Sequence, residues 1–437
     1  MSALAMFYKA AGYSVSGSDI AEGAYTKALR EHGVNVATGH SASNIDGCGL
    51  VVKNAAISAD NPEVRAAREQ GITVKERAEI LGETASRYNK CIAVSGAHGK
   101  TTCGGMLSNI FLEAKLDPSV HIGGTMLNLG SQYRVGGGEY FITEACEYKR
   151  SFLHIAPDTA VVLNVAMDHP DCYKDIDDVG EAFARFLRLV KRGGAAVLNG
   201  DDKYLAALSK TLSCQTVFFG LNKGNAYRAS DISHEKGRYA FDLREKGNRL
   251  CRVRLKVLGR HNIYNALAAA AAARLYGIPV QAVKDGLESF AGMRRRFEYW
   301  GNLDGAEVYH DYAHHPQEIT ATLKAAAPLL TSPQSRLICV FQPHTYTRTQ
   351  KLFDKFVESL EQAGIIILAA IYPAREPPIP GVTSEALKTA LELRGKEAYL
   401  CPDFKGLAEK IKEIAKYGDV VLVLGAGDVE TLKEFLF

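Results

Sequence analysis

The chain has 437 residues, of which 47% are hydrophobic and 23% charged, and its formal net charge at pH 7 is +3. This composition is typical of a globular protein with several domains, and the near-neutral charge gives no support to nucleic-acid binding. No apolar run reaches the roughly 18 residues that a membrane span needs. The nine cysteines include no C-x-x-C pair, and no leader peptide is evident. We therefore expect a cytoplasmic protein with reduced thiols and no membrane insertion.

The first segment, MSALAMFYKAAGYSVSGSDI, predicts a helix with Leu4, Phe7 and Ala11 on one face. Gly12 would end this helix, and a short strand from Tyr13 to Asp19 would follow it. A helix followed by such a strand is the second half of a nucleotide-binding βαβ unit, in which a strand and a glycine loop come before the helix.

Apolar runs then alternate with helical stretches, as in LVVKNAAI, TAVVLNV, RLICVFQ and DVVLVLGAG. Continuous Val, Ile and Leu runs are typical of strands buried on both faces of a parallel sheet. Polar or basic segments near residues 88 and 293 predict three α/β domains, which span 1–88, 89–292 and 293–437.

Two stretches of the middle domain differ from these apolar runs in their residue pattern. NALAAAAAARLYG predicts a helix closed by Gly277. RYAFDLREKGNRLCRVRLKVLG alternates apolar and polar residues around a KGN turn. This alternation predicts an antiparallel hairpin at the edge of the central domain.

The strongest local signal is KCIAVSGAHGKTT, in which a strand runs into a glycine-rich loop and then a helix. Gly96 and Gly99 would let the backbone approach a phosphate. Lys100 would reach the β- and γ-phosphates, and Thr101 would bind Mg²⁺. The full G-x-x-x-x-G-K-T pattern is not met, because Val94 occupies the position of its first glycine. The alternative is a plain glycine-rich turn with a solvent-exposed lysine, but the order of strand, loop, Lys-Thr and helix favours a phosphate site.

Acidic and histidine side chains follow the next two predicted strands. Glu144 and Glu147 come just after one strand, and Asp168 and His169 come after the other. Because parallel strands bring their carboxyl ends to one edge of a sheet, these groups could complete Mg²⁺ sites beside the phosphate loop. In the alternative interpretation, Glu144 pairs with a nearby basic residue and His169 caps a loop.

The segment HDYAHHP places His310, His314 and His315 after a predicted strand and before Pro316, which would be the first residue of a helix. The histidines could contact a substrate, stabilise a loop or bind zinc, and their place at the carboxyl end of a strand favours substrate contact. PHTYTRT follows another strand in the same way. Its Arg348 could bind a phosphate or a carboxylate with two hydrogen bonds, or it could be an exposed arginine at a helix start.

SGAHGKTT, GRHNIYNALAAAAA and MRRRFEYWG resemble the phosphate loop, the adenine-binding segment and the arginine motif of the Mur ligases. These ATP-dependent enzymes join amino acids to a UDP-linked sugar in peptidoglycan synthesis. VYHDYAHHPQEI, FQPHTYTRTQKLFDKF, EACEYKRSF and NVAMDHPDCY are most similar to the members that add L-alanine to UDP-N-acetylmuramate. The resemblance covers essentially the whole chain.

The resemblance implies a three-domain α/β fold. The N-terminal domain would be Rossmann-like and would bind the UDP-sugar, the central domain would be P-loop ATPase-like with a mostly parallel sheet, and the C-terminal ligase domain would again be Rossmann-like. ATP and Mg²⁺ would be the cofactors. UDP-N-acetylmuramate and L-alanine would be the small-molecule partners, and the chain would be a monomer or a weak homodimer.

Site residues can be carried over position by position. Those that the resemblance implies for ATP are Gly96, Ala97, His98, Gly99, Lys100, Thr101, Thr102, His261, Asn262, Asn265, Arg296 and Asp311. Those implied for Mg²⁺ are Thr101, Glu144 and His169. Those implied for the sugar nucleotide and the amino acid are Ser18, Asp19, His40, Ala56, Ser58, Asn128, His314, Arg348, Gly425 and Asp428. Those implied for catalysis are Lys100, His169, Arg296 and His344, with His169 or His344 accepting a proton from the amine.

The chain departs from the family pattern at two internal places. Many relatives have arginine where Thr345 stands, so one anionic contact is missing. Sibling ligases that add later amino acids use a carbamylated lysine at a fixed distance before an N-x-D-D segment. In this chain that register, counted back from NGDD at 199–202, holds Arg185 and Phe186, as it does in the alanine-adding members.

A third departure concerns the first residues. In the family, a strand and a G-x-G-G-x-G loop run directly into M-S-A-L-A, and Met1 falls where that loop ends. Either the start is misassigned or the chain is truncated, with an unfilled strand position in its first domain. For the chain as it stands, we expect weakened binding of the UDP-sugar and near-normal binding of ATP.

Three other functions remain open at this point. A related recycling ligase would attach an intact peptide to the same sugar nucleotide, and a kinase would release a stable phosphorylated product. A ligase-derived protein without turnover would bind the nucleotide alone. Intact Lys100, Glu144, His169 and Arg296 argue against the last alternative.

Overall fold

The computed structural model describes residues 1–167, 169 and 172–437. The chain forms two compact units. The first contains residues 1–232, 241–254 and 261–290, and the second contains residues 233–240, 255–260 and 291–437. The division into three domains at residues 88 and 293 stays a prediction. The fold class, α/β with a mostly parallel central sheet, is confirmed.

The first residues form two small parallel sheets with four helices. The elements in chain order are α1 (Ser2–Ala10), β1 (Ser16–Asp19), α2 (Ala24–Glu31), β2 (Asn35–Thr38), β3 (Leu50–Lys53), α3 (Pro62–Glu69), β4 (Thr73–Glu76) and α4 (Arg77–Ser86). Strand β1 pairs with β2, and β3 pairs with β4. The strand predicted from Tyr13 to Asp19 is shorter than expected, since β1 begins at Ser16, and the Tyr13 ring lies 5.2 Å from that of Tyr8.

A ten-stranded sheet forms the centre of the first unit, with the order β14-β13-β12-β11-β10-β9-β5-β8-β6-β7. Its strands are β5 (Lys90–Ser95), β6 (Ser119–Met126), β7 (Ser131–Arg134), β8 (Tyr140–Glu144), β9 (Thr159–Val162), β10 (Ala195–Asn199), β11 (Gln215–Gly220), β12 (Tyr227–Glu235), β13 (Arg238–Glu245) and β14 (Asn248–Leu258). Strands β6, β8, β5, β9, β10 and β11 run parallel to one another, so their carboxyl ends reach one edge, and β7 is antiparallel to β6.

Five helices pack on this sheet: α5 (Lys100–Glu113), α6 (Ile176–Arg188), α7 (Lys203–Leu208), α8 (His261–Leu275) and α9 (Val280–Ser289). Helix α8 contains the predicted alanine run, and its alanines 268–273 have no exposed surface. It packs against α5, as does α9. A side chain at Gly286 of α9 would place its Cβ only 2.5 Å from the Cα of Ile110 in α5. Small residues therefore hold α5 close to its neighbours.

The predicted hairpin is confirmed. Strands β13 and β14 flank Lys246 and Gly247, whose φ values of 47° and 88° are both positive, as in a type I′ turn. Strand β14 lies at the edge of the ten-stranded sheet. The predicted end of α8 is also confirmed, since Gly277 has a φ of 71° just beyond Leu275.

The second unit contains a six-stranded sheet with the order β15-β16-β20-β17-β18-β19. Its strands are β15 (Glu298–Leu303), β16 (Ala306–Asp311), β17 (Leu337–Phe341), β18 (Ile365–Leu368), β19 (Glu397–Leu400) and β20 (Val420–Leu424). Its helices are α10 (Pro316–Ala326), α11 (Tyr346–Lys351), α12 (Phe353–Leu360), α13 (Ser384–Leu393), α14 (Phe404–Ile414) and α15 (Leu432–Leu436). All strand pairs except β15–β16 are parallel, and apolar clusters cover both faces.

None of the helices in the described part of the chain combines the length and apolar character that a membrane crossing requires.

Candidate active site

The glycine-rich loop connects β5 to α5 as predicted. Gly96 and Gly99 have φ values of 136° and 89°, which L side chains rarely adopt. A Cβ at Gly99 would lie 2.5 Å from Oδ1 of Asn265. The backbone N–H of His98 donates to Oδ1 of Asn164 (2.9 Å), and Nδ2 of Asn164 donates back to the His98 carbonyl (3.0 Å). The loop therefore contacts two asparagines, Asn164 and Asn265. The sequence predicted Asn265 as an ATP-binding residue but did not predict Asn164.

Lys100 begins α5, and Thr101 and Thr102 follow it in the first turn. The Lys100 side chain is only 14% exposed. Its Nζ donates to the carbonyls of Gly96 (2.6 Å) and Ala97 (3.2 Å) and to Oε1 of Glu147 (2.9 Å). These contacts show that Lys100 is not the solvent-exposed lysine of the alternative interpretation. Its ammonium group lies over the loop at a helix N-terminus, where anions bind, and phosphate binding stays a prediction.

Glu144 ends β8, next to β5, and its carboxylate lies against the neighbouring strand β6. Its Oε1 accepts a hydrogen bond from the backbone N–H of Gly123 (2.9 Å). A Cβ at residue 123 would lie 2.7 Å from Oε2 of Glu144. The absence of a side chain at Gly123 therefore defines the position of this carboxylate.

His169 follows β9, and its Nε2 lies 3.9 Å from Oε1 of Glu147. Asp168 lies outside the described residues. Among the described residues no three His, Cys, Asp or Glu side chains form a metal cluster. Mg²⁺ is usually held by one or two carboxylates together with water and phosphate oxygens, so a site that uses Glu144 and the Thr101 hydroxyl fits this donor set.

We expect Gly123→Ala to weaken the binding of the Mg²⁺ that catalysis requires, although it changes none of the proposed ligands. The new Cβ would displace the Glu144 carboxylate, whereas the φ of Gly123 is not in the left-handed region, so the backbone tolerates alanine. The expected result is a rise of about tenfold in the Mg²⁺ concentration that gives half-maximal phosphate release. Gly224→Ala is the control, since a Cβ there meets no atom within 4 Å. Equal Mg²⁺ dependence of the two variants would contradict the assignment of Glu144.

A cavity of about 360 Å³ opens beside the loop. It is lined by His98, Gly99, Leu163, Asn164, Asn199, Asp201, Asp202, His261, Tyr264 and Asn265. The predicted adenine residues His261 and Asn265 thus lie in one cavity wall, and Asn262 accepts a hydrogen bond from Nδ2 of Asn265 (2.8 Å). The Tyr264 hydroxyl donates to Oδ2 of Asp201 (3.1 Å). The cavity is large enough for part of a nucleoside and offers amide, hydroxyl and carboxylate partners.

Ser18 and His40, predicted to contact the sugar nucleotide, lie together at the ends of the paired strands β1 and β2. The Ser18 hydroxyl donates to Oε2 of Glu63 (2.8 Å) and lies 3.0 Å from Nδ1 of His40. Because a hydroxyl has one proton, which Ser18 donates to Glu63, Nδ1 of His40 must donate to the Ser18 oxygen. Glu63 also accepts from Asn44 (2.7 Å). Sequence reasoning missed both Glu63 and Asn44.

The other predicted sugar-nucleotide residues of the first unit are more scattered. The carbonyl of Asp19 accepts from the N–H of Gly39, which keeps it beside His40. Ala56 and Ser58 are exposed in the loop after β3. Asn128 is exposed between β6 and β7, and its Nδ2 donates to the Ser289 carbonyl (3.1 Å). The roles of these residues stay predictions.

Two histidines and an arginine meet in the second unit. The rings of His314 and His344 are 5.8 Å apart, and Nη1 of Arg348 lies 3.3 Å from Nδ1 of His344. Arginine only donates, so Nδ1 of His344 is the acceptor and Nε2 carries the proton of the neutral ring. The carbonyl of Tyr312 only accepts, so Nδ1 of His314, 3.0 Å away, carries its proton and leaves Nε2 bare.

These hydrogen bonds bear on the predicted general base. Burial is the main cause that lowers the pKa of both His314 and His344, so both rings are neutral near pH 7. The lone pair of His344 already faces Arg348, whereas no hydrogen-bond donor to Nε2 of His314 is found among residues 1–167, 169 and 172–437. The arrangement therefore favours His314, and not His344, as a proton acceptor.

The arginine segment and the last predicted site residues lie around β16 and β20. Arg296 is exposed, with its guanidinium 5.9 Å from the Tyr312 ring. The carboxylate of Asp311 accepts from the backbone N–H groups of Phe297 (2.8 Å) and Ala313 (2.9 Å), and burial raises its pKa. Gly425, with a φ of 155°, donates to the Asp311 carbonyl (3.2 Å).

Asp428 is exposed and accepts from Nε2 of Gln342 (2.7 Å). Gln342 also accepts from the Val429 N–H (3.1 Å), so it fixes the loop after β20. A Cβ at Gly427 would lie 2.4 Å from the same Gln342 side chain. Nothing in the sequence pattern pointed to Gln342, because its role depends on a strand distant in sequence.

Three sequence-family models match the chain. "Mur ligase family, catalytic domain" matches residues 1–89, "Mur ligase middle domain" matches residues 94–273, and "Mur ligase, glutamate ligase domain" matches residues 295–427. Together they cover most of the chain. It belongs to the Mur ligase family. The family predicted from the motifs is therefore confirmed.

Curated Mur ligases of high similarity include the UDP-N-acetylmuramate–L-alanine ligases of Acetivibrio thermocellus and Clostridium novyi. The first is 43% identical over 436 residues, which are 99% of this chain and 92% of the relative. The second is 42% identical over 434 residues, 99% and 94% of the two chains.

Solved Mur ligase structures share the fold. The UDP-N-acetylmuramate–alanine ligase of Thermotoga maritima superposes with a TM-score of 0.83 at 28% identity, covering 100% of this chain and 95% of that one. A murein peptide ligase of Psychrobacter arcticus has a TM-score of 0.70 at 24% identity, covering 100% and 95%, and its likeness shows the fold alone.

The zinc alternative for this Mur ligase gains no support from its histidines. His310 is fully buried, and its Nδ1 lies 2.8 Å from the Val423 carbonyl, while its ring packs 4.7 Å from that of Trp300. His315 is the N-cap of α10, and Glu318 accepts from its backbone N–H (3.0 Å). Of the three, His314 is the one whose ring lies near another predicted site histidine, 5.8 Å from His344.

Proposed function

We propose that this Mur ligase joins L-alanine to the lactyl carboxylate of UDP-N-acetylmuramate, with ATP hydrolysed to ADP and phosphate. The observation that carries the proposal is the phosphate loop, whose Lys100 lies at the start of α5 and pairs with the buried carboxylate of Glu147. The names of the curated relatives, at about two-fifths identity over almost their whole length, support this choice of substrates.

The reaction proceeds through an acyl phosphate. A carboxylate oxygen of the sugar nucleotide attacks the γ-phosphorus, and the bond to the β,γ-bridging oxygen breaks to release ADP. The amine of alanine then attacks the acyl carbon, and inorganic phosphate leaves with the bonding electrons. Little covalent chemistry falls to the protein, so its main contribution is to position the reactants and stabilise their negative charge.

The chain's own residues divide these tasks. Lys100 binds the phosphates of ATP, and the cavity with His261 and Asn265 accepts the adenosine part. Arg296 supplies a further cation for the transferred phosphoryl group. Bound Mg²⁺, held by Glu144, Thr101 and His169, would reduce the repulsion between the two anionic reactants.

The second step needs a proton acceptor because alanine enters as an ammonium ion and must lose a proton before it attacks. His314 offers an unprotonated Nε2 and a lowered pKa, so its ring is neutral near pH 7. His344, as an Nε2–H donor fixed by Arg348, binds an oxygen of the substrate. Ser18 and His40 contact the sugar nucleotide.

The test is phosphate release by the purified protein with ATP, Mg²⁺ and UDP-N-acetylmuramate, measured with a panel of amines. We expect release to depend on L-alanine, with less or none for glycine, L-serine and the tripeptide L-alanyl-γ-D-glutamyl-diaminopimelate. Release that depends on the tripeptide and not on alanine would indicate the recycling ligase. Tight ATP binding without amine-dependent release would indicate a nucleotide-binding protein.

A further inference from the structure

Glu147 is a buried carboxylate at the phosphate loop that the proposed reaction has not used. Its side chain is 2% exposed, and both of its oxygens lie 2.9 Å from Nζ of Lys100. We propose that Glu147 is a positioning residue that competes with the phosphates of ATP for Lys100 and so makes nucleotide binding depend on a divalent cation. This inference rests on the proposed ATP site.

All three N–H groups of the Lys100 ammonium have partners in this structure. Two donate to the carbonyls of Gly96 and Ala97, and one donates to Glu147. A lysine has no further donor, so contact with a phosphate requires that at least one of these bonds is given up. Of these three contacts, the one with Glu147 joins opposite charges. A phosphate is also an anionic acceptor, so it can take the place of the Glu147 carboxylate as the partner of the ammonium group.

The main chain at Glu147 is held in place, and we take Lys100, whose four-carbon side chain is flexible, as the partner that moves. The Glu147 carbonyl accepts from the hydroxyl of buried Tyr173 (2.6 Å) and from the backbone N–H of Arg150 (2.7 Å). Lys149 and Arg150 follow with φ values of 49° and 56°, in the left-handed region. Shifting Glu147 would disturb all of these contacts.

Departure of Lys100 leaves a buried negative charge without its partner, which is costly in a protein interior. In the described part of the chain, Oε2 of Glu147 has the Lys100 ammonium beside it and no other hydrogen-bond donor. Oε1 lies 3.9 Å from Nε2 of His169, a predicted Mg²⁺ ligand. A divalent cation bound beside His169 would therefore compensate the charge that Lys100 leaves behind, and the nucleotide and the cation would bind more tightly together than separately.

The experiment measures the Kd of a non-hydrolysable ATP analogue by calorimetry, with Mg²⁺ and with EDTA. Glu147→Gln keeps the shape of the side chain and removes the competing charge. We expect this variant to bind the analogue about fivefold more tightly than the unaltered protein in EDTA, because an ionised acceptor holds an ammonium more strongly than an amide does. The gain in affinity from Mg²⁺ should shrink by the same factor.

Glu181→Gln is the matched control, since it removes one glutamate charge from an exposed ion pair with Arg188. It should bind the analogue as the unaltered protein does. A purely structural role for Glu147 predicts weaker binding of the variant in EDTA, so the sign of the change separates the two roles. Equal or weaker binding by a folded Glu147→Gln variant would overturn the proposal.

A double-mutant cycle with Lys100→Met provides the second measurement. In that background Glu147 has no lysine to hold, so Glu147→Gln should leave binding in EDTA unchanged. The same fivefold gain in both backgrounds would overturn the proposal, because the effect would then not pass through Lys100. Failure of the unaltered protein to bind the analogue at all would instead refute the ATP site and with it the proposed function.

Discussion

Lys100→Met is expected to lower alanine-dependent phosphate release by about a thousandfold, because the ammonium that stabilises charge on the transferred phosphoryl group is lost. The measurement is steady-state phosphate release at saturating substrates. The variant also leaves Glu147 buried without its ion-pair partner, so the unfolding temperature should fall.

Two controls separate these effects. Lys210→Ala removes an exposed lysine far along the chain and should change neither activity nor unfolding temperature. Lys100→Met combined with Glu147→Gln should recover much of the lost stability but none of the activity. Activity of the single variant within tenfold of the unaltered protein would refute the phosphate-loop assignment.

His314→Gln is expected to reduce the rate of amide formation by about a hundredfold or more, the usual contribution of a general base. The pKa of His314 lies below its ordinary value of 6.5, because burial outweighs the opposing effects of Glu318 and the Tyr312 carbonyl, and Arg348 and His315 lower it further. The neutral, proton-accepting ring therefore persists below pH 6.5. The rate should fall only as the pH drops through this lowered pKa. This acidic limb of the pH–rate profile should be absent in His314→Gln.

His344→Gln is the informative comparison, since His344 faces His314 and also has a lowered pKa. We expect it to raise the KM for UDP-N-acetylmuramate and to keep the acidic limb of the pH profile of kcat. The reverse pattern, with the acidic limb lost in His344→Gln and kept in His314→Gln, would identify the base as His344, one of the two residues predicted from the sequence.

Most of the correct structural predictions came from patterns in consecutive residues. The phosphate loop, the alanine-rich helix and the Lys246–Gly247 hairpin are each written in consecutive residues, where glycines and periodicity determine the conformation. The grouping of Ser18 with His40 follows from the same logic, because both residues end parallel neighbouring strands.

The contacts that were not predicted join side chains that are distant in sequence. Glu147 was noticed only as a carboxylate after a strand, and its pairing with Lys100 depends on the alignment of β8 with β5. Asn164 and Asp201 follow strand ends, so the strand-end rule used for Glu144 would have found them. The choice between His314 and His344 depends on single hydrogen bonds, which no residue pattern encodes.

The close packing of α5 has a mechanical consequence for how the enzyme responds to its nucleotide. With the alanine face of α8 against it and with Gly286 of α9 directly over Ile110, α5 has no free volume into which it could slide or tilt. When ATP binds, the Lys100 side chain therefore changes its conformation, while the backbone of α5 keeps its position. Amide hydrogen exchange along α5 should accordingly be slow and nearly the same with and without the ATP analogue.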